Sequence, residues 1–466
     1  MKNIYILHVV LFILFLKIVL LLVSPIFRFG DDLRYLASAK TIFMSNDVLP
    51  EKEKITNNLI WYPPFVLYIL TALLSLSFKN QFLWFIFSKI FELFSFLGST
   101  VIILKILRKL NFSKNEKILC LLLFTLYPIN MFLSSSIMLD SPLIFFMLLL
   151  FWFIFYDKNY LIGSVICGLL VLIKSSGILL VISSIISVIL FEKNKSLKIK
   201  YFVFVVIFCS IISGFWIYHN YIVLGTPIYD PWTKDEINLY KERSFTSNLF
   251  YGYLSFWGLP PSYRISSRLN MSNEFIFAIQ ILIALFFMPL SYLIIYKTIK
   301  DYKKTFYFIP FVVIFFVFGL YYFLKTTFSD IPRYIFPIFP IFCIYFSRQL
   351  NFNNKFLKLY IVSVLFVFIF ISFSIQIYFL NKEYNIKNNL LNIINENQDK
   401  KILIQSKDRE IFWILNLYYN IDMESTQEAC KNFINKGPLS YCVDKNKIII
   451  FRQFSTINYG EVLITI

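Results

Sequence analysis

The sequence predicts an all-α polytopic membrane protein with about 11 transmembrane helices, followed by a small α/β C-terminal segment. Of the 466 residues, 58% are hydrophobic and 56 are Phe, and the mean hydropathy is +0.69. Many apolar runs reach the ~20 residues that a helix needs to cross a bilayer. A soluble protein of this length could bury a core with far less apolar sequence, so the composition excludes a soluble fold.

The net charge of +18 is distributed as in a membrane protein. Lys and Arg fall in short clusters between the apolar runs, as the positive-inside rule expects of cytoplasmic loops. They do not form one basic surface, so we predict no nucleic-acid partner. The clusters are Lys105–Lys117, Lys158, Lys193–Lys200, Lys297–Lys304 and Arg348–Lys358.

The apolar runs define the predicted topology. With the basic clusters in the cytoplasm, alternate crossings are consistent if the segment 62–78 stays on the outer side as a juxtamembrane or re-entrant helix. Tyr62-Pro63-Pro64 opens that segment as a rigid helix entry, and the segment is short for a span. The first run is too long for a signal peptide and is predicted to be a retained helix. The runs lie near 4–27, 62–78, 82–107, 118–136, 140–156, 160–176, 177–191, 201–223, 275–296, 306–324, 333–347 and 359–380.

Two domains are predicted. Residues 1–380 form the transmembrane domain, with outer loops 28–81 and 224–274, and residues 381–466 form a small extracytoplasmic soluble domain. The latter is charged and Asn-rich and contains the strand-like runs KKILIQ and KIIIF. There, Cys430 and Cys442 would either form a disulfide in an oxidising compartment or remain thiols. No Cys/His spacing indicates a metal site.

Two adjacent carboxylates, Asp31 and Asp32, stand where the first apolar run leaves the bilayer, with Arg34 and Tyr35 directly after them. Charges this close to hydrocarbon are costly unless they face water or a partner, so they mark a functional site by default. One carboxylate could act as a general base toward a hydroxyl group. The alternative is a solvated pair that caps the helix starting near Leu33.

Asp140 lies at the tip of a predicted hairpin and is followed by Ser141-Pro142. An N-cap with Pro early in the next helix explains this pattern. It is also a second carboxylate near the membrane on the side of Asp31, and two such carboxylates favour a site.

Several basic residues are predicted on the outer side, which is normally depleted of Lys and Arg. Each alone could be a solvated or structural charge, and Lys174 could be a snorkelling lysine at the end of the 160–191 hairpin. Together they would suit an anionic group such as a lipid phosphate, which Arg can bind through two parallel hydrogen bonds. They are Lys174, Arg264, Arg268 and Arg333.

These motifs together resemble those of GT-C class glycosyltransferases, most of all the protein O-mannosyltransferase and lipid A aminoarabinose transferase group. Asp31-Asp32-Leu33-Arg34-Tyr35 resembles the D-E-x-R-Y stretch of that family, Tyr62-Pro63-Pro64 its x-P-P, and Leu139-Asp140-Ser141-Pro142 its second acidic loop. The Lys174 hairpin, Asn220-Tyr221 with Gly225-Thr226-Pro227, and Arg333-Tyr334 with Pro337 and Pro340 follow in the family's order. The sequence departs from the family at Asp32, where the family has Glu, and at Tyr62, where aminoarabinose transferases have Lys.

The resemblance implies an inverting transfer of a sugar from a polyprenyl-phosphate carrier to a hydroxyl of a protein, lipid or glycan, outside the cytoplasmic membrane. It implies Asp31 as the base, with Asp32 and Asp140 orienting the acceptor or Asp31. The leaving phosphate is weakly basic and needs cationic stabilisation more than a strong acid. No cofactor is implied, and a divalent metal is compatible but not demanded. The substrate-binding candidates are Arg34, Tyr35, Lys174, Arg264, Arg268, Arg333 and Tyr334.

Two other classes remain as alternatives. A transporter or flippase of a lipid-linked or anionic solute would also place charges near the membrane, although it would favour polar groups and broken helices near the midplane. Here the spans are nearly free of acids apart from Glu92. A non-catalytic assembly protein on the same scaffold would have no need for Asp31 and Asp140.

Overall fold

The computed structural model describes residues 4–23, 31–45, 64–134, 137–226, 272–300, 310–314, 337, 339–348, 355–396, 401–405, 424–426, 434–436, 439–444 and 447–452. Most of the predicted outer loop 224–274 lies outside these ranges, as do residues 46–63 of the predicted loop 28–81. The predicted ligands Arg264, Arg268, Arg333 and Tyr334 also lie outside the described residues.

The chain is helical through most of its described length. The helices are α1 (Ile4–Val23), α2 (Asp31–Ser45), α3 (Pro64–Leu76), α4 (Gln81–Lys109), α5 (Lys114–Leu126), α6 (Pro128–Leu133), α7 (Asp140–Phe155), α8 (Tyr160–Ile173), α9 (Gly177–Phe191), α10 (Lys195–Ile212), α11 (Gly214–Leu224), α12 (Asn273–Lys300), α13 (Phe339–Arg348) and α14 (Lys355–Asn395).

Most helices follow the predicted apolar runs, with two breaks that the runs did not indicate. The run 118–136 is divided at Tyr127, because Pro128 cannot continue the hydrogen bonding of α5 and instead begins α6. The run 201–223 is divided at Ser213, where α10 and α11 meet at a bend of 55°. At the other extreme, α14 continues for 41 residues, well past the predicted run 359–380.

Two described helices are long and apolar enough to cross a membrane, Phe82–Lys109 and Lys355–Ser374, and the bent pair Lys195–Ile212 with Gly214–Leu224 would make a third. Other apolar helical segments of the described residues are 10–17 residues long. For example, α7 has 16 residues, which is about 24 Å, against a hydrocarbon core of about 30 Å. The protein is thus a membrane-type helical chain, and the number of crossings stays a prediction.

Helix α8 lies at the centre of the part that carries the candidate site. It packs against α7, α9 and α10, and α7 packs in turn against α4. The short helix α3 joins this group to α2: Thr71 Oγ1 donates to the Ala39 carbonyl of α2 at 3.2 Å. The Phe65 ring of α3 contacts Phe146 of α7 edge-on at 5.7 Å. The predicted outer helix 62–78 is therefore packed between α2 and the α7–α8 pair.

The described residues beyond 400 are strands of one sheet with the order β2-β1-β5-β4-β3. The predicted strand-like runs are β1 and β5, which pair in parallel, with Ile402 opposite Ile448. Cys442 lies in β4 opposite Ile449, whereas Cys430 lies outside the described residues. That this sheet belongs to a separate extracytoplasmic domain stays a prediction. The strands are β1 (Lys401–Gln405), β2 (Glu424–Thr426), β3 (Ile434–Lys436), β4 (Leu439–Asp444) and β5 (Lys447–Arg452).

Candidate functional site

The structure brings two of the predicted site residues into direct contact. Lys174 Nζ donates a hydrogen bond to Asp140 Oδ1 at 2.6 Å. The Asp140 side chain is fully buried and that of Lys174 is only 12% exposed. An ion pair this short and this buried lies in a medium where Coulomb attraction is strong, and where removing either partner is costly.

The position of Asp140 follows from the start of α7. The helix begins at Asp140 itself, and its N-cap Leu139 makes no side-chain capping hydrogen bond. The N-cap alternative is therefore wrong for Asp140, whose carboxylate instead bonds Lys174. A carboxylate in the first turn also lies at the positive end of the helix dipole, and Pro142 is tolerated there because first-turn N–H groups have no helical acceptor.

The position of Lys174 follows from a tight turn between α8 and α9. Lys174 is the C-cap of α8 and has an extended backbone, with φ −157° and ψ 141°. Its carbonyl accepts a hydrogen bond from Gly177 N at 2.7 Å. A side chain at Gly177 would overlap the Leu170 carbonyl, so glycine allows the turn to close against α8. The snorkelling alternative is wrong, because Lys174 points to a buried carboxylate rather than along the helix surface to water.

A third charged side chain, Glu92 of α4, lies beside this pair. Glu92 is fully buried, and its Oε1 accepts a hydrogen bond from Met138 N at 3.2 Å. Among the described residues, Glu92 Oε2 and Ser141 Oγ have no hydrogen-bond partner of normal geometry. Asp140 and Ser141 are nonetheless close enough to act electrostatically on the Glu92 carboxyl group. Sequence reasoning noted Glu92 only as an acid inside a span, which was the signal that could have found it.

Lys17 of α1 is a further buried charge that sequence reasoning missed. Its Nζ donates to Ser134 Oγ and to the Asn130 carbonyl at 3.5 Å. It also lies 4.2 Å from the centre of the Phe96 ring of α4, a favourable cation–π distance. A lysine within the first apolar run was the available signal.

The remaining predicted site residues that the structure describes all lie in α2. Asp31, Asp32 and Arg34 occupy the first turn of α2, which starts at Asp31, slightly before the predicted Leu33. Tyr35, predicted to bind substrate, is buried in the core. The described residues contain no group of three or more His, Cys, Asp or Glu side chains that could hold a metal ion.

Neither a protein-family model nor a curated protein matches this sequence. Two solved structures do match: the crystal structure of ArnT from Cupriavidus metallidurans bound to undecaprenyl phosphate, and the same protein in the apo state. The bound structure has a TM-score of 0.50 and 13% identity over 91% of this chain and 87% of ArnT. The apo structure has a TM-score of 0.52 and 13% identity over 91% and 86%. ArnT is a lipid A aminoarabinose transferase of the GT-C class, so the resemblance predicted from the motifs is confirmed at the level of the fold.

Proposed function

We propose that this protein is an inverting glycosyltransferase that moves a sugar from a polyprenyl-phosphate carrier to a hydroxyl acceptor, which is a protein, a lipid or a glycan. The proposal is supported first by the fold, which is similar to that of ArnT bound to undecaprenyl phosphate. The observation that links this function to particular residues is the buried Asp140–Lys174 pair.

The buried pair is better explained by function than by stability. A buried ion pair often contributes no more to stability than well-packed apolar residues of similar volume, since both charges lose their hydration. Within a membrane protein such charges are therefore a functional hypothesis by default. Both residues also belong to the motifs that resemble the GT-C group.

The chemistry assigns different roles to the carboxylates. Asp140 already accepts a hydrogen bond from Lys174, so its role is to hold and orient that cation. The base that removes the acceptor proton is then Asp31, at the start of α2, with Asp32 orienting it or the acceptor. Sugar transfer places negative charge on the departing phosphate, and fixed cations aimed at that charge lower the barrier.

The cations that would hold the carrier phosphate are Lys174 and the arginines of the predicted outer loops. Arg34 follows the carboxylates in the first turns of α2. Tyr334 would line the same region, and Tyr35, which is buried in the core, would support the first turns of α2. The donor is a polyprenyl-phosphate sugar, and membrane lipid surrounds the carrier tail. The full set of cations is Arg34, Lys174, Arg264, Arg268 and Arg333.

The topology completes the proposal. We place the site on the extracytoplasmic face of the cell membrane, with about 11 spans in residues 1–380 and a soluble domain in residues 381–466 on the same side. Helices α2 and α3 would form an outer platform over the site. The packing of α3 against α2, α4 and α8 supports this arrangement.

A transporter or flippase is the second candidate, and two observations favour it. Lys17 and Glu92 are buried charges within apolar helices, and α10 and α11 form a broken helix with a 55° bend. Buried polar groups and discontinuous helices are typical of secondary transporters. A transporter would move the lipid-linked solute across the bilayer without releasing free polyprenyl phosphate.

The test uses membranes from cells that express wild type, Asp31→Asn or Asp140→Asn at equal levels. Polyprenyl-phosphate sugars are supplied, release of free polyprenyl phosphate is followed, and acceptors are identified by mass spectrometry. The matched control is Asp157→Asn, since Asp157 is exposed just beyond the opposite end of α7.

We expect wild type and Asp157→Asn to release polyprenyl phosphate and the other two variants to lose activity. A fully active Asp31→Asn would overturn the assignment of the base. If no variant and no wild type consumes any donor, while a fluorescent lipid-linked sugar is moved between leaflets, the transporter is the correct function.

A further inference from the structure

The connection between α6 and α7, which leads into Asp140, is held by buried charged side chains from two other helices. At its start, Lys17 of α1 donates to Ser134 Oγ. Near its end, Glu92 of α4 accepts from the Met138 backbone N–H, only two residues before Asp140. An irregular connection inside a membrane protein must have its backbone polar groups satisfied by protein. Glu92 does this at the point where the chain enters α7.

Glu92 is placed to control the orientation of Asp140 rather than to react. Its side chain is fully buried, so it cannot touch a substrate that arrives from solvent or lipid. One carboxyl oxygen holds the backbone at Met138, and the other is buried without a hydrogen-bond partner among the described residues. The buried Ser141 hydroxyl, next to Asp140 in the chain, also has no hydrogen-bond partner of normal geometry among the described residues. Ser141 and Asp140 are both close enough to act on the Glu92 carboxyl group, which therefore lies beside the start of α7.

We propose that Glu92 is a positioning residue for the Asp140–Lys174 pair. By fixing Met138, it sets the first turn of α7, and so sets where the Asp140 carboxylate meets Lys174 Nζ. The expected effect of Glu92 on catalysis rests on the proposed transferase function, whereas its expected effect on the position of Asp140 does not. No step of the reaction occurs at Glu92.

Two substitutions at Glu92 distinguish the loss of its hydrogen-bond acceptor from the loss of its negative charge. Glu92→Gln keeps the Oε1 acceptor for Met138 N–H and the side-chain shape, and it provides an N–H donor for Ser141 Oγ. Glu92→Leu removes the acceptor, and an apolar residue of similar volume should still fold in this buried place. The matched control is Ser95→Ala, one turn further along α4, because the buried Ser95 hydroxyl bonds only to Phe91 O within its own helix.

The catalytic readout is the separation of kcat from KM for donor consumption. For Glu92→Leu we expect kcat and kcat/KM to fall together by about tenfold to 100-fold, the scale of a catalytic group displaced by about 1 Å. KM should change little, while Glu92→Gln and Ser95→Ala stay close to wild type.

The structural readout is independent of activity. The purified full chain is treated with an amine-reactive ester, and labelling of Lys174 is measured by peptide mass spectrometry against the exposed Lys158 in the same sample. We expect Glu92→Leu to raise Lys174 labelling several-fold and Glu92→Gln to leave it unchanged.

Several results would overturn the proposal. These are an unchanged Lys174 labelling in Glu92→Leu, a wild-type kcat in that variant, or a Glu92→Gln variant as impaired as Glu92→Leu. If wild type consumes no donor, the transferase function fails, but the labelling experiment still decides the role of Glu92.

Discussion

Helix α8 has an ion pair near each end, and the two pairs lie in different environments. At one end, Lys174 and Asp140 are 2.6 Å apart with side-chain exposures of 12% and 0%. At the other, Lys158 and Glu192 are 3.5 Å apart with exposures of 63% and 12%. The first pair belongs to the candidate site, and the second lies in a predicted cytoplasmic cluster.

The comparison shows that an ion pair affects stability differently when it is exposed to water and when it is buried in the protein. In the exposed pair, water screens the charges and the lysine loses side-chain entropy, so the pair contributes little. Glu192 is held instead by the Tyr160 hydroxyl, which donates to its Oε2 at 2.6 Å. In the buried pair, Asp140 is shielded from water and Lys174 nearly so, so their contact replaces hydration that both charges have largely lost.

The largest expected effect comes from removing one partner of the buried pair. Lys174→Ala leaves the Asp140 carboxylate buried without its cation, and we expect a loss of about 3–5 kcal/mol in the free energy of unfolding. Unfolding by denaturant in mixed micelles, followed by tryptophan fluorescence, would measure it. The double variant Asp140→Asn/Lys174→Met should recover most of that stability while remaining inactive. A Lys174→Ala protein as stable as wild type would show that the pair is not a buried one.

A smaller effect is expected at the turn that presents Lys174. In Gly177→Ala the new Cβ would overlap the Leu170 backbone carbonyl, so the turn must shift, at about 1–3 kcal/mol, as for other overpacked sites. Transferase activity should fall with it, because Lys174 is displaced. The control is Gly214→Ala, where the nearest atom is 3.9 Å from the new Cβ. Equal stabilities of the two variants would contradict the close approach at Gly177.

The exposed end of α8 should respond to pH. The Tyr160 hydroxyl, followed by backbone N–H groups and Lys158, lowers the pKa of Glu192 from 4.5 to about 2. Since the folded pKa lies below the unfolded value, the stabilisation is complete above pH 4.5, shrinks as the pH falls through this range and is gone below about pH 2. The difference in unfolding free energy between wild type and Glu192→Gln should therefore stay constant well above pH 4.5 and narrow as the pH falls from 4.5 to about 2. A difference that widens with acid would refute this assignment.

The smallest effect is expected from Lys158→Ala. The lysine is largely exposed, so its removal should cost no more than about 1 kcal/mol, and less at high salt. The same unfolding assay at low and high ionic strength would measure this. A cost comparable to that of Lys174→Ala would remove the distinction between the two ends of α8.

The helices could be predicted well because helix formation in a membrane depends on local apolar length. The runs 140–156 and 177–191 became α7 and α9 almost residue for residue. The break at Pro128 was present in the sequence, but the apolar run continued through it and concealed the division of α5 from α6. The bend at Ser213 had no proline to signal it, but Ser213 is followed by Gly214, and Gly/Ser pairs are common sites of sharp helix kinks.

The candidate site could be predicted only in part. Asp140 and Lys174 were both identified, each by its position at the end of an apolar run. Their contact joins residues 34 positions apart, and the alternatives of N-cap and snorkelling lysine were equally compatible with the local sequence. Glu92 lies 46 positions from Met138, and Lys17 lies 117 positions from Ser134; no local pattern links such distant residues.

The sequence by itself therefore determined that this is a helical membrane protein, where most helices begin and end, and which charged residues stand at their ends. These properties depend on hydropathy and on the chain within about one helix length. Only the tertiary structure decided that Lys174 neutralises Asp140 and that Glu92 holds the chain at Met138. Such pairings depend on which helices pack side by side, and a buried charge is stable only where that packing brings it a partner.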